Sequence, residues 1–493
     1  MSTRHNITML ALVALTLGVA RAQDNPAQPA SGSTQDSSQQ QTSPPTTPPA
    51  PAYGQPNAAP IDENPPLSGL DQPALGPHSA PISYLQPGVT LSESADSNIN
   101  DTVGGSRLRS VSRGLGFLTL RRLWGNYNLS LDYAGGVGYY DAPNIGLKLL
   151  QGLDFDQKVS WKRGQLSVRD DFSYLPEGNF TASYGSLNSQ QGAQQGGLLG
   201  GGIFGGAVFG ALGQVPRLMN VGAADITENL TPKSAITLVG GYGQVHFYGG
   251  NNLLTDTPFI GSYEVSAQGG YDRVLTPHDQ VALIYGYQGF RFTVAGTAFH
   301  TQVIQLAYGH RVSGRMDITV GAGPQIVNLS VCSVQFGVCQ INTQVADTRL
   351  GLAARATVRY HFPKTSFELT YRRVDTNGSG FFAGAETDIG RLEVSRPIDR
   401  HWSLFTDLGI ARNSRLNPEI DGGVNANVYT FGFAGGGIHR MLGRHFHAFA
   451  SYQFTELSFD SSLCANLAAC SRASTRNLGT IGLDWIARPI RID

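Results

Sequence analysis

The feature that most constrains this chain is a strict two-residue alternation of polar and apolar side chains over long segments. Between positions 349 and 362 one alternate set is apolar and the other is polar, with several charged residues. Because successive side chains of a β-strand point to opposite faces, this segment predicts a strand with one apolar face and one polar face. The apolar set is Leu350, Leu352, Ala354, Ala356, Val358, Tyr360 and Phe362, and the polar set includes Arg349, Arg355, Thr357, Arg359 and His361.

The same alternation recurs near residues 153–160, 165–174, 315–322, 366–372 and 445–455. The predicted strands run for roughly 10–15 residues, beyond the ~5–6 of soluble proteins and enough for the ~9–11 that a tilted, bilayer-crossing strand needs. The 61 glycines among 493 residues disfavour a helical protein, because glycine weakens helix interiors. The sequence therefore predicts an all-β chain.

The predicted connections between strands alternate between tight turns and longer segments. The tight set is 161–164, 230–234, 275–279, 312–314, 362–364, 397–400 and 442–444. The longer set is 175–219, 249–260, 330–346, 377–384, 413–426 and 460–474. Tight turns at one end and long loops at the other are typical of an up-and-down transmembrane barrel. Counting strands between the tight turns gives about 16–18.

Two segments precede the predicted strands. Residues 1–22 have the pattern of a secretory signal peptide: Arg4 precedes an apolar run that ends in Ala20-Arg21-Ala22. Residues 23–87 contain 15 of the 26 prolines and no lysine or arginine, which predicts a disordered linker that favours polyproline II. A spacer role is favoured over a docking motif for a cell-wall partner. Residues 88–493 form the remaining domain.

These residues together resemble a Gram-negative outer-membrane β-barrel protein of the porin-like kind, over 88–493 and the signal peptide. The resemblance is architectural and rests on no specific motif. It implies a closed antiparallel barrel in the bacterial outer membrane, in contact with its lipid and inserted by the barrel assembly machinery. The chain departs from such barrels at its end: Arg488-Pro489-Ile490-Arg491-Ile492-Asp493 follows the last predicted strand, 475–487, instead of a terminal aromatic residue.

The tryptophans and cysteines fall at opposite ends of this predicted barrel. Four tryptophans lie near tight turns, where they would form an aromatic girdle at one membrane interface: Trp124, Trp161, Trp402 and Trp485. Four cysteines lie in two long loops: Cys332, Cys339, Cys464 and Cys470. In an exported protein close pairs of cysteines predict disulfides, and local loop stapling is favoured over a metal site because the spacing lacks a CxxC core.

The polar strand face supplies candidate lumen-lining residues. Barrels of about 16–18 strands enclose an aqueous lumen. The candidates are Arg355, Arg359, Arg372, Glu368, Arg391, Glu393, Asp317 and Asp407. Arginines facing carboxylates would orient permeating polar solutes, whereas the alternative is cross-strand pairs that only stiffen the wall. Asp154 and Asp156, with Lys158 beside them, predict an ion-pair ladder.

The segment 175–219 is unusual because Gly196–Gly213 holds nine glycines and no charge. It could enter the lumen as a constriction, or lie at the surface as an ordinary loop. A spanning helix is disfavoured here, because so many glycines would destabilise it.

The remaining motifs favour a transport function over catalysis. The sequence contains no GxSxG, HExxH or Walker-type loop, so we expect no enzyme activity and no cofactor. A formal charge of −1 disfavours a nucleic-acid partner. We therefore expect a passive porin-like channel for small polar solutes. A homo-oligomer is one assembly that such a barrel could form. The alternatives are a barrel that displays loops for adhesion or anchors an envelope assembly, and a hydrolase with its site at the barrel rim.

Overall fold

The computed structural model describes residues 66–68, 83–99, 107–142, 145–175, 215–249, 251–252, 257–293, 297–335, 338–362, 364–416, 426–460 and 472–492. Within them, 18 long strands form one antiparallel sheet. They are β1 Tyr84–Asp96, β2 Arg109–Trp124, β3 Tyr127–Tyr140, β4 Gly146–Trp161, β5 Gly164–Leu175, β6 Arg217–Thr231, β7 Ser234–Phe247, β8 Ser262–Val274, β9 Asp279–Phe292, β10 Ala298–Ser313, β11 Met316–Gln335, β12 Val338–His361, β13 Ser366–Thr376, β14 Ala385–Pro397, β15 Trp402–Arg415, β16 Val428–Met441, β17 Phe446–Phe459 and β18 Ala473–Ile486.

The sheet closes on itself because its first and last strands pair with each other. Each strand from β2 to β17 pairs with its two neighbours in sequence. β1 pairs with β2 and also with β18, from Gly88 opposite Ile486 to Asp96 opposite Leu478. The predicted up-and-down barrel is therefore confirmed, at the upper end of the predicted strand count.

The two faces of the wall differ as the alternation predicts. Leu350 and Leu352 on β12 point outward and are 79% and 53% exposed, whereas Ala353 and Arg355 on the same strand point inward and are buried. The same holds on β9, where Leu283 is exposed and Ile284 is buried. The outer surface is thus a continuous apolar band, and the buried side chains lie in the interior of the barrel.

Tight turns join the strands at one end, here called the short-turn end. The turn between β14 and β15 is shaped by Asp399, whose carboxylate accepts hydrogen bonds from the backbone N–H groups of His401 at 2.7 Å and Trp402 at 2.9 Å. These bonds stabilise the charged form and lower the pKa of Asp399.

The strand boundaries differ from the sequence prediction in two places. β1 begins at Tyr84, before the predicted domain start at residue 88. The predicted loop 330–346 is wrong: β11 and β12 continue to Gln335 and from Val338 as a long hairpin with one register irregularity between Cys332 and Val334. The segment contains four valines, whose β-propensity favours a strand over a loop.

The C-terminal tail adds a short strand rather than hanging free. Ile490–Arg491 pairs antiparallel with Leu85 and Tyr84 at the start of β1. The tail therefore pairs with the start of β1, which β18 does not reach because its own pairing with β1 begins at Gly88. Among the described residues, no helix has the length and apolar character needed to cross a membrane.

A polar ladder on the inner face joins β1 to β18. Its strongest element is an ion pair between Asp96, 0% exposed, and Arg476, 1% exposed, in which the guanidinium Nε lies 3.0 and 2.9 Å from the two carboxylate oxygens. The ladder continues toward the short-turn end with Ser94 and Thr480 at 3.0 Å and Thr90 and Asp484 at 2.7 Å. Side-chain hydrogen bonds therefore reinforce the closure along most of its length.

Asp96→Asn tests this closure. The substitution removes the counter-charge that faces the buried Arg476, so we expect a loss of about 3–5 kcal/mol in stability. The measurement is the temperature at which the folded band converts to the unfolded band on an SDS gel. Asp347→Asn is the control, because Asp347 and Arg349 are 47% and 43% exposed and their pair contributes under about 1 kcal/mol. Equal shifts in the two variants would contradict the assigned role.

Candidate functional site

A row of charged side chains crosses five neighbouring strands on the inner face. The strand register places Asp317 opposite Arg359, Arg359 opposite Glu368, Glu368 opposite Glu393, and Glu393 opposite Asp407. The row therefore follows one continuous register from β11 to β15. Five of the eight residues predicted to line the lumen lie in this row.

Arginines link the carboxylates along the row. The Arg359 Nε donates to the Asp317 carboxylate at 3.0 Å. Arg391 makes two bonds to Asp407, at 2.9 and 2.6 Å, and a further ion pair to Glu393 at 2.9 Å. Since the Arg391 side chain is 17% exposed and that of Asp407 is 11% exposed, the pair is ordered but still reached by solvent. Such bidentate contacts fix the guanidinium plane.

Two further predicted arginines lie two inward-facing positions away, beyond the row that contains Arg391. Arg355 and Arg372 are opposite each other on β12 and β13. Arg355 donates through Nη2 to the backbone carbonyl of Leu67 at 2.7 Å, so a residue of the N-terminal arm lies against the inner wall. All eight predicted residues are thus on the inner face of β11–β15.

The opposite wall carries an acidic row that the sequence analysis identified only in part. Asp132, Asp154 and Asp171 align across β3, β4 and β5. Arg121 pairs with Asp132 at 2.6 Å, and Lys158 approaches Asp156 at 3.5 Å. Because β4 and β13 are nine strands apart in a ring of 18, the acidic row faces the wall that carries Arg359 and Arg372. Opposite strands are distant in sequence, so this juxtaposition depends on the strand count.

The loop 377–384 does not lie outside the barrel, and its prediction as an outer loop is wrong. Asn377, Ser379, Phe381, Phe382 and Ala383 are all at most 5% exposed. β13 pairs with β12 only as far as Arg373, opposite Ala354, whereas β14 stays paired with β15 up to Ala385, opposite Arg415. The loop therefore folds into the interior of the barrel, near the long-loop end.

Contacts to distant strands hold this loop in place. Phe381 packs on Tyr429 of β16 and Phe459 of β17, with ring centroids 5.0 and 5.4 Å apart. On the other side, Asn377 Nδ2 donates to the Ser262 hydroxyl of β8 at 2.9 Å. The loop thus reaches from β13 toward β8 and also toward β17, across the interior.

Glycines give the loop its path. Gly378, Gly380 and Gly384 have φ values of 74°, 87° and 97°, which other residues rarely adopt. A Cβ on Gly380 would lie 2.7 Å from the Phe247 ring, and one on Gly384 would lie 2.7 Å from the Phe299 ring. Two adjacent phenylalanines among these glycines were the available sequence signal, because an exterior loop has no reason to carry such a large apolar surface.

The four tryptophans lie at the short-turn end and point outward. Trp124, Trp161 and Trp485 are 41%, 39% and 40% exposed, and Trp402 is half-buried. Guanidinium groups stack over two of the rings: Arg122 lies 5.2 Å from the Trp124 centroid, and Arg440 lies 4.9 Å from that of Trp402. We interpret the four tryptophans as an aromatic girdle at one membrane interface.

Several predicted features lie wholly or partly outside the described residues. Residues 176–214, which contain the glycine-rich segment, are outside them, as are Cys464 and Cys470. Cys332 and Cys339 lie on the backbone of the β11–β12 hairpin, but their side chains are not described. In the part of the chain that the structure covers, no three His, Cys, Asp or Glu side chains are placed to hold a metal ion.

Comparison with known proteins gives structural likeness alone. No protein-family model and no curated protein matches the sequence. Solved structures with a similar overall architecture include OccK2 (OpdF) of Pseudomonas aeruginosa in complex with glucuronate, at 8% identity and a TM-score of 0.38 over 82% of this chain and 97% of that one. A BenF-like porin from Pseudomonas fluorescens Pf-5 has 8% identity and a TM-score of 0.38, over 83% and 99% of the two chains.

A third such structure is OccAB3 of Acinetobacter baumannii, at 8% identity and a TM-score of 0.38, over 82% of this chain and 99% of that one. At 8% identity residues do not correspond one to one, so no ligand of these proteins is carried over to this chain. By its own strand order, closure and apolar exterior, the protein has the architecture of a transmembrane β-barrel of the outer-membrane kind.

The packing of the inward loop is tested by Phe381→Ala. Removing a buried phenylalanine costs about 3–5 kcal/mol, and because the Phe381 ring anchors the loop rather than the wall, we expect local release of the loop instead of barrel unfolding. The measurement is amide hydrogen exchange of residues 377–384. The control is Phe446→Ala, since Phe446 is 46% exposed on the outer face. Unchanged exchange in Phe381→Ala would contradict the inward packing.

Proposed function

We propose that the protein is a passive channel for small polar solutes in the outer membrane of a Gram-negative bacterium. The observation that carries this proposal is the row Asp317–Arg359–Glu368–Glu393–Asp407 on the inside of a barrel whose outside is apolar. Charged groups are costly to bury without water or partners. A charged inner wall therefore supports an aqueous interior.

The size of the barrel supports the same conclusion. Barrels of about eight strands fill their interior with side chains, whereas about 16–18 strands enclose a channel. Eighteen strands close this one. The Arg359 side chain is 29% exposed and that of Glu393 is 26% exposed, so water within the ring reaches the row.

The two charged walls supply selectivity in this proposal. Asp132, Asp154 and Asp171 face the wall that bears Arg359 and Arg391. A dipolar solute between these walls turns to align with the field, which lowers the barrier for solutes with separated charges. The inward loop 377–384 narrows the same path near the long-loop end.

The proposed channel is inserted by the barrel assembly machinery, can form a homo-oligomer and carries out no catalysis. Insertion by the barrel assembly machinery is supported by the closed antiparallel barrel, with Trp485 facing outward on its last strand. A homo-oligomer is compatible with the apolar outer band. A purely passive role without enzyme activity is supported by ion pairing of the inner-wall side chains: Arg359 with Asp317 and Arg391 with Asp407 across strands, and Arg391 with Glu393 along β14.

The proposal is tested by purified protein in planar lipid bilayers. We expect stepwise current increments on insertion, and swelling of proteoliposomes in solutions of small sugars or amino acids, because the lumen carries water. The control is the same preparation denatured by boiling before reconstitution. Absence of current from folded, inserted protein would overturn the channel function and favour a display or anchoring role.

The role of the inner carboxylates is tested by the double variant Asp317→Asn/Asp407→Asn. Removing two negative charges from the lumen raises its local potential, so we expect the permeability ratio to shift toward anions by about twofold or more at low salt, and less at high salt. The measurement is the reversal potential in a salt gradient. Glu228→Gln is the control, because Glu228 lies on the outer face near the short-turn end, where its carboxylate accepts a hydrogen bond from Trp161 Nε1 at 2.7 Å. A shift of the same size in the control would contradict the lumen assignment.

A further inference from the structure

Among the described residues, three from the N-terminal arm lie inside the barrel. They are Pro66–Ser68, and Ser68 is 0% exposed. These residues belong to the segment 23–87, whose composition predicts a disordered linker. Its burial against the inner wall requires a separate explanation.

The wall holds Ser68 through polar groups on β7 and β8. The Ser68 N–H donates to the Asp272 carboxylate at 3.1 Å, and the Ser68 hydroxyl donates to the second oxygen of the same carboxylate. The Thr237 hydroxyl also contacts the Ser68 hydroxyl, and the Gln268 side-chain amide donates to the Ser68 carbonyl. The backbone and side chain of this serine are therefore both recognised.

The wall holds Leu67 through an apolar patch on the neighbouring strands. The inward side chains Ala282, Ile284, Val303, Ala307 and Ala353 form a buried cluster, and Leu67 packs against it. An apolar patch on the inner wall of a water-filled barrel is unfavourable unless something covers it. Leu67 supplies that cover, and Arg355 bonds its carbonyl at 2.7 Å.

The site is shaped as a trough between two charged residues. In one register row, Asp272 is followed by Ala282, Ala307, Gly321 and then Arg355, across β8 to β12. The small residues leave room that longer inward side chains would occupy. Gly270 lies two residues before Asp272 on β8. Only glycine leaves room for Ser68 at this position, since a Cβ there would lie 2.1 Å from the Ser68 Cβ.

The tether is long enough for this docking. Fifteen residues lie between Ser68 and Tyr84, the first residue of β1. Extended, they reach about 53 Å, and half the circumference of an 18-strand ring is about 43 Å at ~4.8 Å per strand. A tethered ligand also has an effective concentration on the order of millimolar, so weak contacts suffice for high occupancy.

We propose that Pro66–Ser68 is an intramolecular ligand of the barrel, and that its Leu67-Ser68 pair occupies the trough on β7–β12 and obstructs the solute path. The obstruction rests on the proposed channel function, whereas the docking does not. The trough thus takes a short peptide with an apolar residue followed by a hydroxyl residue, here supplied by the chain itself. Release of the arm opens the path.

Docking is tested by the labelling rate of Ser68→Cys in membranes, in a variant whose four native cysteines are replaced by serine. A water-soluble maleimide is expected to label the folded protein at least about tenfold more slowly than the denatured protein, because the site is buried. Gly270→Ala is expected to restore fast labelling, since the added methyl displaces Ser68. Gly269→Ala is the matched control: its Cβ would point to the other face and lie 3.3 Å from a Leu238 side-chain atom.

Obstruction is tested by single-channel conductance of the same glycine variants with Ser68 intact. We expect larger conductance in Gly270→Ala than in the parent chain, and no change in Gly269→Ala. Leu67→Asp is a second variant that cannot disturb a wall strand, and the charge it places in the apolar cluster is expected to have the same effect as Gly270→Ala.

The outcomes separate the two claims. Fast labelling of Ser68→Cys in the folded protein, or equal labelling in the two glycine backgrounds, overturns the docking. Slow labelling with equal conductance in every variant overturns the obstruction. Slow labelling with no conductance in any variant overturns the channel function and leaves the docking in place.

Discussion

The structure depends on one constraint: inside a lipid bilayer every backbone N–H and C=O group must find its partner within the protein. Eighteen strands meet this constraint by pairing in sequence order and then joining β1 to β18. The buried Asp96–Arg476 pair lies at this junction, and the Ile490–Arg491 tail extends the pairing of β1 at its other end. Closure also creates an interior separated from lipid, where irregular backbone and charged side chains are tolerated.

The interior is specialised by region. β11–β15 carry an ion-paired row, β3–β5 carry an acidic row, and β8–β12 present small and apolar residues between Asp272 and Arg355. The apolar side chains of the inward loop fill part of the space near the long-loop end. Two segments thus enter the barrel from different places: the loop 377–384 from between β13 and β14, and Pro66–Ser68 from the N-terminal arm.

Alternation along each strand predicted much of this arrangement, because the side-chain period of two is a local property. It assigned Arg355, Arg359, Glu368 and Asp407 to the inner face, and Leu350 and Leu352 to the outer face, as the structure shows. It could not predict which residues face each other across the barrel, since that depends on the number of strands. The positions of Phe381 and Leu67 depend on contacts with distant strands, and local sequence carries only indirect signals of such contacts. The length of the β11–β12 hairpin was missed because polar residues there suggested a loop, whereas β-propensity prevailed.

The central claim is that one face of each strand contacts water inside the barrel and the other contacts lipid. Single cysteines at six consecutive β13 positions test it: Phe367, Glu368, Leu369, Thr370, Tyr371 and Arg372, each in a chain without its native cysteines and reconstituted in lipid vesicles. A membrane-impermeant, water-soluble thiol reagent is predicted to label positions 368, 370 and 372 and to leave 367, 369 and 371 unlabelled, as the register and exposure of β13 require. Equal labelling of all six positions, or labelling of the odd set alone, would contradict the account.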